Sequence, residues 1–557
     1  YRLMKLGIIV KQTQTIETLG ATTILCTDKT GTITQNKMEL LKIYSFKSKS
    51  IGEKKSWNSQ EFIHIISNAM WASECVPFNP MEKALHKIYE KVVEKDERPD
   101  YKMIHEYPLA GKPPMMTHIF ENEGGNRIIA VKGAPEAIIE HSNLTSEEKS
   151  EIQKILSQFA SLGLRVLGVG LSKFEGENFP ENQEEFKFKF LGLLGFYDPP
   201  KENIRTTFKQ LYEAGIKIKI ITGDNVLTTM SIANQIDFKD GDMSITGEEL
   251  MRLSDDEFNQ KVMQTNIFTR VFPEVKLKII NSLKSQGEIV GMTGDGVNDA
   301  PALKASNIGI AMGKRGSDIA KEASSLILSD DDFGKMVDGV AMGRKIYFNL
   351  KKAIQYVISI HIPIILTVAL PVILGWIYPV IFSPIHVIFL ELIMGPTCSI
   401  IYENEPLEKN GMQKPPREIK ETFLRWKELF ISIVQGLIIT LGCLFIYQYS
   451  VQNNYGEALT RTMVFSTLII ANIFLTLVNR SFYFSVWSTF KYKNPLIWMI
   501  ILISFLMLLL MIYQPDLAAF FKLRMLSVLQ ISIATGVGFC CVIWFEIYKY
   551  FLRLKPA

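Results

Sequence analysis

Three aspartate-bearing segments could do phosphate and metal chemistry: Asp28 directly after the apolar run TTILCT, Asp224 in IKIITGD, and Asp295 with Asp299 in TGDGVNDAP. One aspartate after a strand says little, because aspartate is a common turn residue and helix cap. Three such loops meeting at one sheet edge make a site for Mg²⁺ and a phosphoryl group. Mg²⁺ takes carboxylate, water and phosphate oxygens in an octahedron, and glycine-rich turns present backbone N–H groups to phosphate.

The elements around these loops predict that they do meet. TTILC (22–26) reads as a short buried strand, ENIRTTFKQLYEAG as a helix ending at Gly215, and IKIKIIT as the next strand. A helix is expected from about Asn225 to Gln235, and EVKLKIINSLKSQG reads as an amphipathic helix ending at Gly287. The strand EIVGMT follows, then NIGIAM and SLILS as two more. Strands alternating with helices imply a parallel, doubly wound α/β sheet, which binds ligands beyond the carboxyl ends of its strands. Residues 38–196 interrupt the pattern with helices near 60–70, 80–94 and 147–162 and strands near 102–108, 115–121 and 127–132, an inserted α+β domain. The expected order is a phosphate-site domain in two parts, 1–37 and 197–340, the insert at 38–196, and a membrane domain at 341–557.

The last of these rests on composition. The 557 residues are 47% hydrophobic and 21% charged, but the two classes segregate. From about residue 353, apolar runs lie near 353–376, 381–402, 428–449, 460–479, 495–513 and 528–550, each about long enough to cross a bilayer. Lysine and arginine crowd the loops after the second and fourth runs and the tail, an asymmetry that puts the soluble half and both ends on the cytoplasmic side. Glu391, His361 and Asn472 fall inside these runs. Polar groups at membrane depth face the bundle interior or a water-filled path, where His361 and Asn472 either bridge helices or bind an ion. A carboxylate at Glu391 requires a cation, a proton or a partner. Pro363, Pro371 and Pro396 each remove a helical hydrogen bond and free carbonyls nearby. A net charge of +4 gives no reason to expect nucleic acid as a partner, and six cysteines in so long a chain do not make a disulfide framework. The opening YRLMKLGIIVKQ reads as a chain already under way.

Five motifs give a family resemblance. CTDKTGTIT (26–34), KGAPE (132–136), DPP (198–200), TGD (222–224) and TGDGVNDAPALKAS (293–306) stand in the order and approximate spacing of P-type ATPases. The chain resembles the carboxy-terminal portion of a type II, calcium-pump-like cation-transporting member, lacking the actuator domain and the first four membrane helices. The resemblance implies a haloacid-dehalogenase-like phosphorylation domain, an inserted nucleotide-binding domain and a six-helix membrane bundle. It implies ATP and Mg²⁺ as cofactors and attack by Asp28 on the γ-phosphate. Thr30, through its carbonyl, and Asp295 would join Asp28 around Mg²⁺. Thr222, Gly223 and Thr32 would hold phosphoryl oxygens, Lys276 would pair with the phosphate, and Lys29, Asp224, Asn298 and Asp299 would complete the site. Lys132 and Gly133 would line the adenosine pocket with Glu82, Arg165 and Arg270 nearby, and Tyr107 would stack on adenine. His361, Glu391 and Asn472 are the candidate ligands of the transported ion.

With one carboxylate among those ligands, calcium, a proton and another cation all stay open. The resemblance places the protein in a membrane, expected to be the plasma membrane, as a multi-pass pump; its oligomeric state is not readable. Alternatives are a lipid flippase of the same superfamily, a soluble aspartyl phosphohydrolase, and a chain that binds nucleotide without completing a cycle. Thr246, Gly247 and Glu248 reproduce the actuator's TGE, but the context ITGEELMRLSDDEF reads as a helix cap.

Overall fold

The computed structural model describes all residues except 1, 78, 111–112, 177, 418–421 and 555–557, and the backbone alone at 393–394 and 396–399. The chain forms two compact units, one of residues 1–11 and 22–337, the other of residues 12–21 and 338–557.

The first unit holds two sheets. One has eight strands in the order Ile8–Val10, Leu326–Leu328, Ile308–Met312, Val290–Gly294, Ile24–Thr27, Lys217–Ile221, Ile267–Thr269 and Ser244–Thr246. Every pairing is parallel except the edge pair Ile8–Val10 with Leu326–Leu328. The strands Ile24–Thr27, Val290–Gly294 and Ile308–Met312 are buried at every residue, because helices cover both faces of a parallel sheet. Ile24, Cys26, Ile221, Phe268, Val290 and Met292 are buried with Val275, Ile279 and Leu283 of the helix Pro273–Ser285 in one core. Lys219, in the strand read as IKIKIIT, is fully buried too; its ammonium donates to the carbonyls of Val262, Met263 and Thr265 at 2.6–3.1 Å, where the helix Asp255–Gln264 ends. A cation at a helix carboxyl end answers its unsatisfied carbonyls.

The second sheet has seven strands, all antiparallel, in the order Ser50–Glu53, Glu39–Ser45, Lys189–Tyr197, Arg165–Ser172, Arg127–Gly133, Met115–Asn122 and Tyr101–Ala110. The insert therefore contains four strands beyond the three read from the sequence. Phe190, Leu193, Leu194 and Phe196 lie among glycines in FKFKFLGLLGFY, which hides the two-residue period. Gly192 is there because a Cβ would stand 2.0 Å from the Tyr44 carbonyl.

In the second unit, five helices among the described residues are long and apolar enough to cross a membrane: Lys335–Ile373, Trp426–Gln452, Glu457–Val478, Pro495–Tyr513 and Val528–Leu554. The run expected at 381–402 forms a helix of 13 residues, Pro384–Pro396, that widens into a π-type turn over Thr397–Tyr402. Thirteen residues reach only about 20 Å, short of the bilayer core of roughly 30 Å. Glu457–Val478 is the hub: 83% of its apolar window is buried, against 28% for Val528–Leu554. Arg480 and Glu405, both buried, pair at 2.8 Å, and Asn494 donates to the same carboxylate at 3.0 Å. A buried ion pair keeps its place only when its remaining hydrogen bonds are made.

Candidate active site

Register places the first three loops together. Thr27 is level with Ile220 on one side and with Thr293 on the other. Asp28, Thr222 and Asp295 therefore leave the sheet at one edge, beyond strands running in the same direction. The Thr293 hydroxyl donates to that of Thr27 at 3.0 Å and ties two of the strand ends.

The loop after Asp28 turns back sharply at Gly31, whose φ of +75° suits glycine. A Cβ there would also stand 2.7 Å from Asp295 Oδ2, so glycine lets the Asp28 loop approach that carboxylate. Thr32 is fully buried, and its hydroxyl oxygen has no hydrogen-bond partner. The loop returns through Thr34, whose hydroxyl donates to Asp198 Oδ2 at 2.6 Å, while Lys37 N donates to Asp198 Oδ1 at 3.1 Å. Asp198 thus clamps the loop. Its motif, DPP, is visible in the sequence, but its partner 164 residues away is not.

Lys276 is the centre of the charged cluster. It is only 5% exposed, and its Nζ lies 2.8 Å from Asp28 Oδ2 and 2.7 Å from Asp299 Oδ1. Asp28 Oδ1 also accepts from Lys29 N at 2.6 Å. Burial lowers the proton affinity of Lys276, but the two carboxylates outweigh it and hold the ammonium well above its ordinary pKa. Burial raises the pKa of Asp28, with Lys276 opposing and Asp299 and Asp224 adding to the rise. Asp295 is pushed up to about 6, first by burial and then by the charges of Asp28 and Asp299. Three carboxylates thus share one ammonium, an excess of negative charge that a divalent cation would relieve. Their oxygen donors suit Mg²⁺.

Asp224 sits opposite. Lys29 Nζ lies 2.5 Å from its Oδ2, and the Thr30 hydroxyl donates to the same oxygen at 3.3 Å. Burial acts to raise its pKa, yet Lys29 and then Arg165 hold it below the ordinary carboxylate value. Thr222 is buried, with its hydroxyl accepting from Asp224 N at 3.2 Å, while Gly223 is exposed with its Cα side open. Asn298 is exposed on the turn before Asp299. Arg270 is exposed at the same sheet edge, in a left-handed conformation with φ of 49°, and donates its N–H to the Asp224 carbonyl at 3.0 Å.

A second buried lysine lies in the antiparallel sheet. Lys132 Nζ is 2.5 Å from Glu82 Oε1 and 2.6 Å from the Ser73 hydroxyl, with both charged residues buried. Here burial wins and lowers the Lys132 pKa against the pull of Glu82. Gly133 is a close-approach glycine: a Cβ would stand 2.5 Å from the Met115 Cα. Arg165 is exposed at the start of the neighbouring strand, in which Gly168 pairs with Gly133. Tyr107 corrects an expectation. Its ring is buried in the core against Phe186 and its hydroxyl donates to the Pro180 carbonyl at 2.5 Å, so it has no face free to stack on adenine.

In the second unit, His361 Nε2 lies 3.1 Å from Glu391 Oε1. Asn472 is buried in a separate small cavity lined by Tyr356, Leu390, Thr476 and Ser504. The segment Thr246–Gly247–Glu248 opens the helix Gly247–Met251: the Thr246 hydroxyl accepts from Glu249 N at 3.2 Å, and the Glu249 carboxylate accepts from Thr246 N at 2.9 Å.

Residues 78–203 match the family model described as P-type ATPase, cytoplasmic domain N, and residues 379–551 match that of the cation transporting ATPase C-terminus. A calcium-transporting ATPase of Bacillus subtilis is 32% identical over 93% of this chain and 63% of its own length. Calcium-transporting ATPase 1 of Saccharomyces cerevisiae is 30% identical over the whole of this chain and 63% of its own. The rat calcium-transporting ATPase type 2C member 2 is 30% identical over 98% and 61%. The chain thus spans just over three fifths of the length of these relatives.

Proposed function

The chain belongs to the calcium-pump-like P-type ATPases, and on that premise we propose that it takes part in ATP-driven cation transport through phosphorylation of Asp28. The observation that carries this reading is the cluster at the sheet edge, where Lys276 bridges Asp28 and Asp299 beside Asp295. An Asp28 oxygen attacks the γ-phosphorus, the bond from that phosphorus to the bridging oxygen breaks, and ADP leaves. Lys276 holds the Asp28 carboxylate in place and counters charge on the phosphoryl oxygens. Gly223 and Thr222 offer N–H and hydroxyl groups at the opposite wall, and Thr32 has an unsatisfied hydroxyl in the loop after Asp28. Asp28, Asp295 and the Thr30 carbonyl would hold Mg²⁺, which supplies the remaining positive charge. Since phosphoryl transfer asks the protein mainly for position and charge, a preformed cluster of this kind suits it. Glu82 and Lys132, with Gly133 and Arg165 on adjoining strands, would hold the nucleotide.

The parallel sheet is read as haloacid-dehalogenase-like, and the membrane unit as six spans, the second being Pro384–Pro396 with its continuation to Tyr402. The first unit and both chain ends are assigned to the cytoplasmic side. The transported ion is read as Ca²⁺, from the relatives, with Glu391 as a ligand. His361 Nδ1 donates to the Val357 carbonyl at 2.8 Å, which leaves its Nε2 facing Glu391 Oε1 at 3.1 Å.

Incubating the protein with γ-labelled ATP and Mg²⁺ tests the first step. Acid-stable label should appear on the chain and vanish in Asp28→Asn; label that survives in Asp28→Asn rejects the assignment. Where label forms, its dependence on Ca²⁺ should change in Glu391→Gln.

A further inference from the structure

A cluster of potential metal ligands lies outside the machinery described above. Glu106, on the strand Tyr101–Ala110, is the direct cross-strand partner of His118, on the strand Met115–Asn122. Glu74, in the loop after the helix Gln60–Trp71, reaches the same place. One donor atom from each of Glu74, Glu106 and His118 lies within 4.8 Å of the other two. His118 Nε2 is 4.0 Å from Glu106 Oε1. Two ligands about 2.1 Å from one ion stand roughly 3–4 Å apart, so a small inward movement of exposed Glu106 closes the set.

The independent sign of a ligand is His118 itself. It is fully buried, and neither ring nitrogen has a hydrogen-bond partner of ordinary geometry. The Trp71 main chain acts on the ring without satisfying it at normal hydrogen-bond distance and angle. A buried imidazole with idle nitrogens is costly and calls for a water or an ion. An apolar residue in its place would remove that cost, since Phe120 on the same strand face packs edge-on at 6.3 Å.

We propose that Glu74, Glu106 and His118 form a site for a divalent transition metal of the Zn²⁺ type. An imidazole with two carboxylates selects such an ion over Mg²⁺ or Ca²⁺, which take oxygen almost alone. Three protein ligands leave a fourth position, on the side of exposed Glu106, for water. Glu74 also lines a cavity of about 300 Å³ with Ser73, Cys75 and His86. Glu74 N donates to Glu82 Oε1 at 3.4 Å, the carboxylate that holds Lys132. Metal at Glu74 therefore pulls on the pair assigned to nucleotide, and the site regulates ATP affinity. That last step rests on the reading of Glu82 and Lys132; the metal site does not.

The test titrates the full chain, in detergent and without nucleotide, with ZnSO₄ against a chromophoric chelator. One equivalent should bind in the wild type, and Glu106→Gln, an exposed change that keeps the fold, should lose about tenfold or more in affinity, as should His118→Gln. Loss of an outer-shell partner alone costs about 10–100-fold. Zinc-edge absorption should show one imidazole, absent in His118→Gln. Failure to bind, or equal binding by the wild type and Glu106→Gln, overturns the site. ATP affinity is then measured with and without Zn²⁺: a bound metal that leaves it unchanged keeps the site and removes only its regulatory role.

Discussion

Lys276 and Lys132 are two buried lysines in one unit, equally hidden from solvent and each held by a carboxylate at 2.5–2.8 Å, yet their proton affinities move in opposite directions. The difference is the number of opposing charges. Lys276 faces Asp28 and Asp299, with Asp295 beyond; Lys132 faces Glu82 and a neutral serine hydroxyl. Two carboxylates in direct contact more than repay the desolvation of an ammonium; one in contact, with Glu74 acting from further off, does not. The parallel sheet gathers charge because its loops leave from one edge; the antiparallel sheet pairs its charges one to one. The first arrangement fits a site where a highly charged group reacts, the second one where a group is only bound.

The largest effect should come from removing the shared ammonium. In Lys276→Met, Asp28 and Asp299 lose the ammonium they share, and loss of a buried partner costs about 3–5 kcal/mol. The protein should melt at lower temperature, and label from ATP should fall by about a hundredfold or more, the scale of losing one preorganised charge-stabilising group. Adding Asp299→Asn should recover stability but not label. Recovery of both would mean that Lys276 only balances Asp299, which breaks the comparison. Lys132→Met should act differently. A hydrogen bond to a charged group is worth about 1.5–3 kcal/mol, so the concentration of ATP giving half-maximal label should rise by about 10–150-fold, while label at saturating ATP is kept.

The two regions were not equally legible. Asp28, Asp224 and Asp295 could be placed at one edge because each follows a short apolar strand in a βα alternation, and parallel sheets expose strand ends on one side. Lys276 was found only through the resemblance, since a lysine in EVKLKIINSLKSQG looks like the solvated face of an amphipathic helix. Lys219 hides for the same reason: in IKIKIIT the lysines alternate with isoleucines as on a half-exposed strand, yet Lys219 is buried under a helix end. Tyr107 was read as the stacking residue in a stretch, EYPLAGKPPMMTH, that departs from the family pattern, and an aromatic residue there says nothing about which way its ring turns. In the membrane unit, hydropathy gives spans but not the break at Thr397–Tyr402, which depends on how neighbouring helices meet the freed backbone groups.

Asp295→Asn sharpens the comparison through pH. Asp295 titrates near 6 in the folded protein, above its ordinary 3.8. Between about 4 and 6 the folded state therefore binds more protons than the unfolded state, and stability falls as pH rises through that window. In EDTA, the drop in melting temperature from pH 4.5 to pH 7 should be smaller in Asp295→Asn than in the wild type. Mg²⁺ at pH 7 should raise the melting temperature of the wild type more than that of the variant, because it binds the folded cluster and replaces the missing proton. An equal response would place the metal elsewhere.

The smallest effect belongs to a charge pair that neither region contains. Glu248 pairs with Arg252 one helical turn away, with about three quarters of each side chain exposed. Water screens such a pair, and many contribute nothing measurable. The neighbouring Thr246–Glu249 cap, not Glu248, makes the hydrogen bonds that start this helix. Glu248→Ala should therefore leave melting temperature, label from ATP and loss of that label all unchanged, whereas Glu249→Ala, which removes half of the capping box, should lower the melting temperature without touching label. A phosphorylated chain that loses its label more slowly in Glu248→Ala would give the Thr246–Gly247–Glu248 segment a part in dephosphorylation.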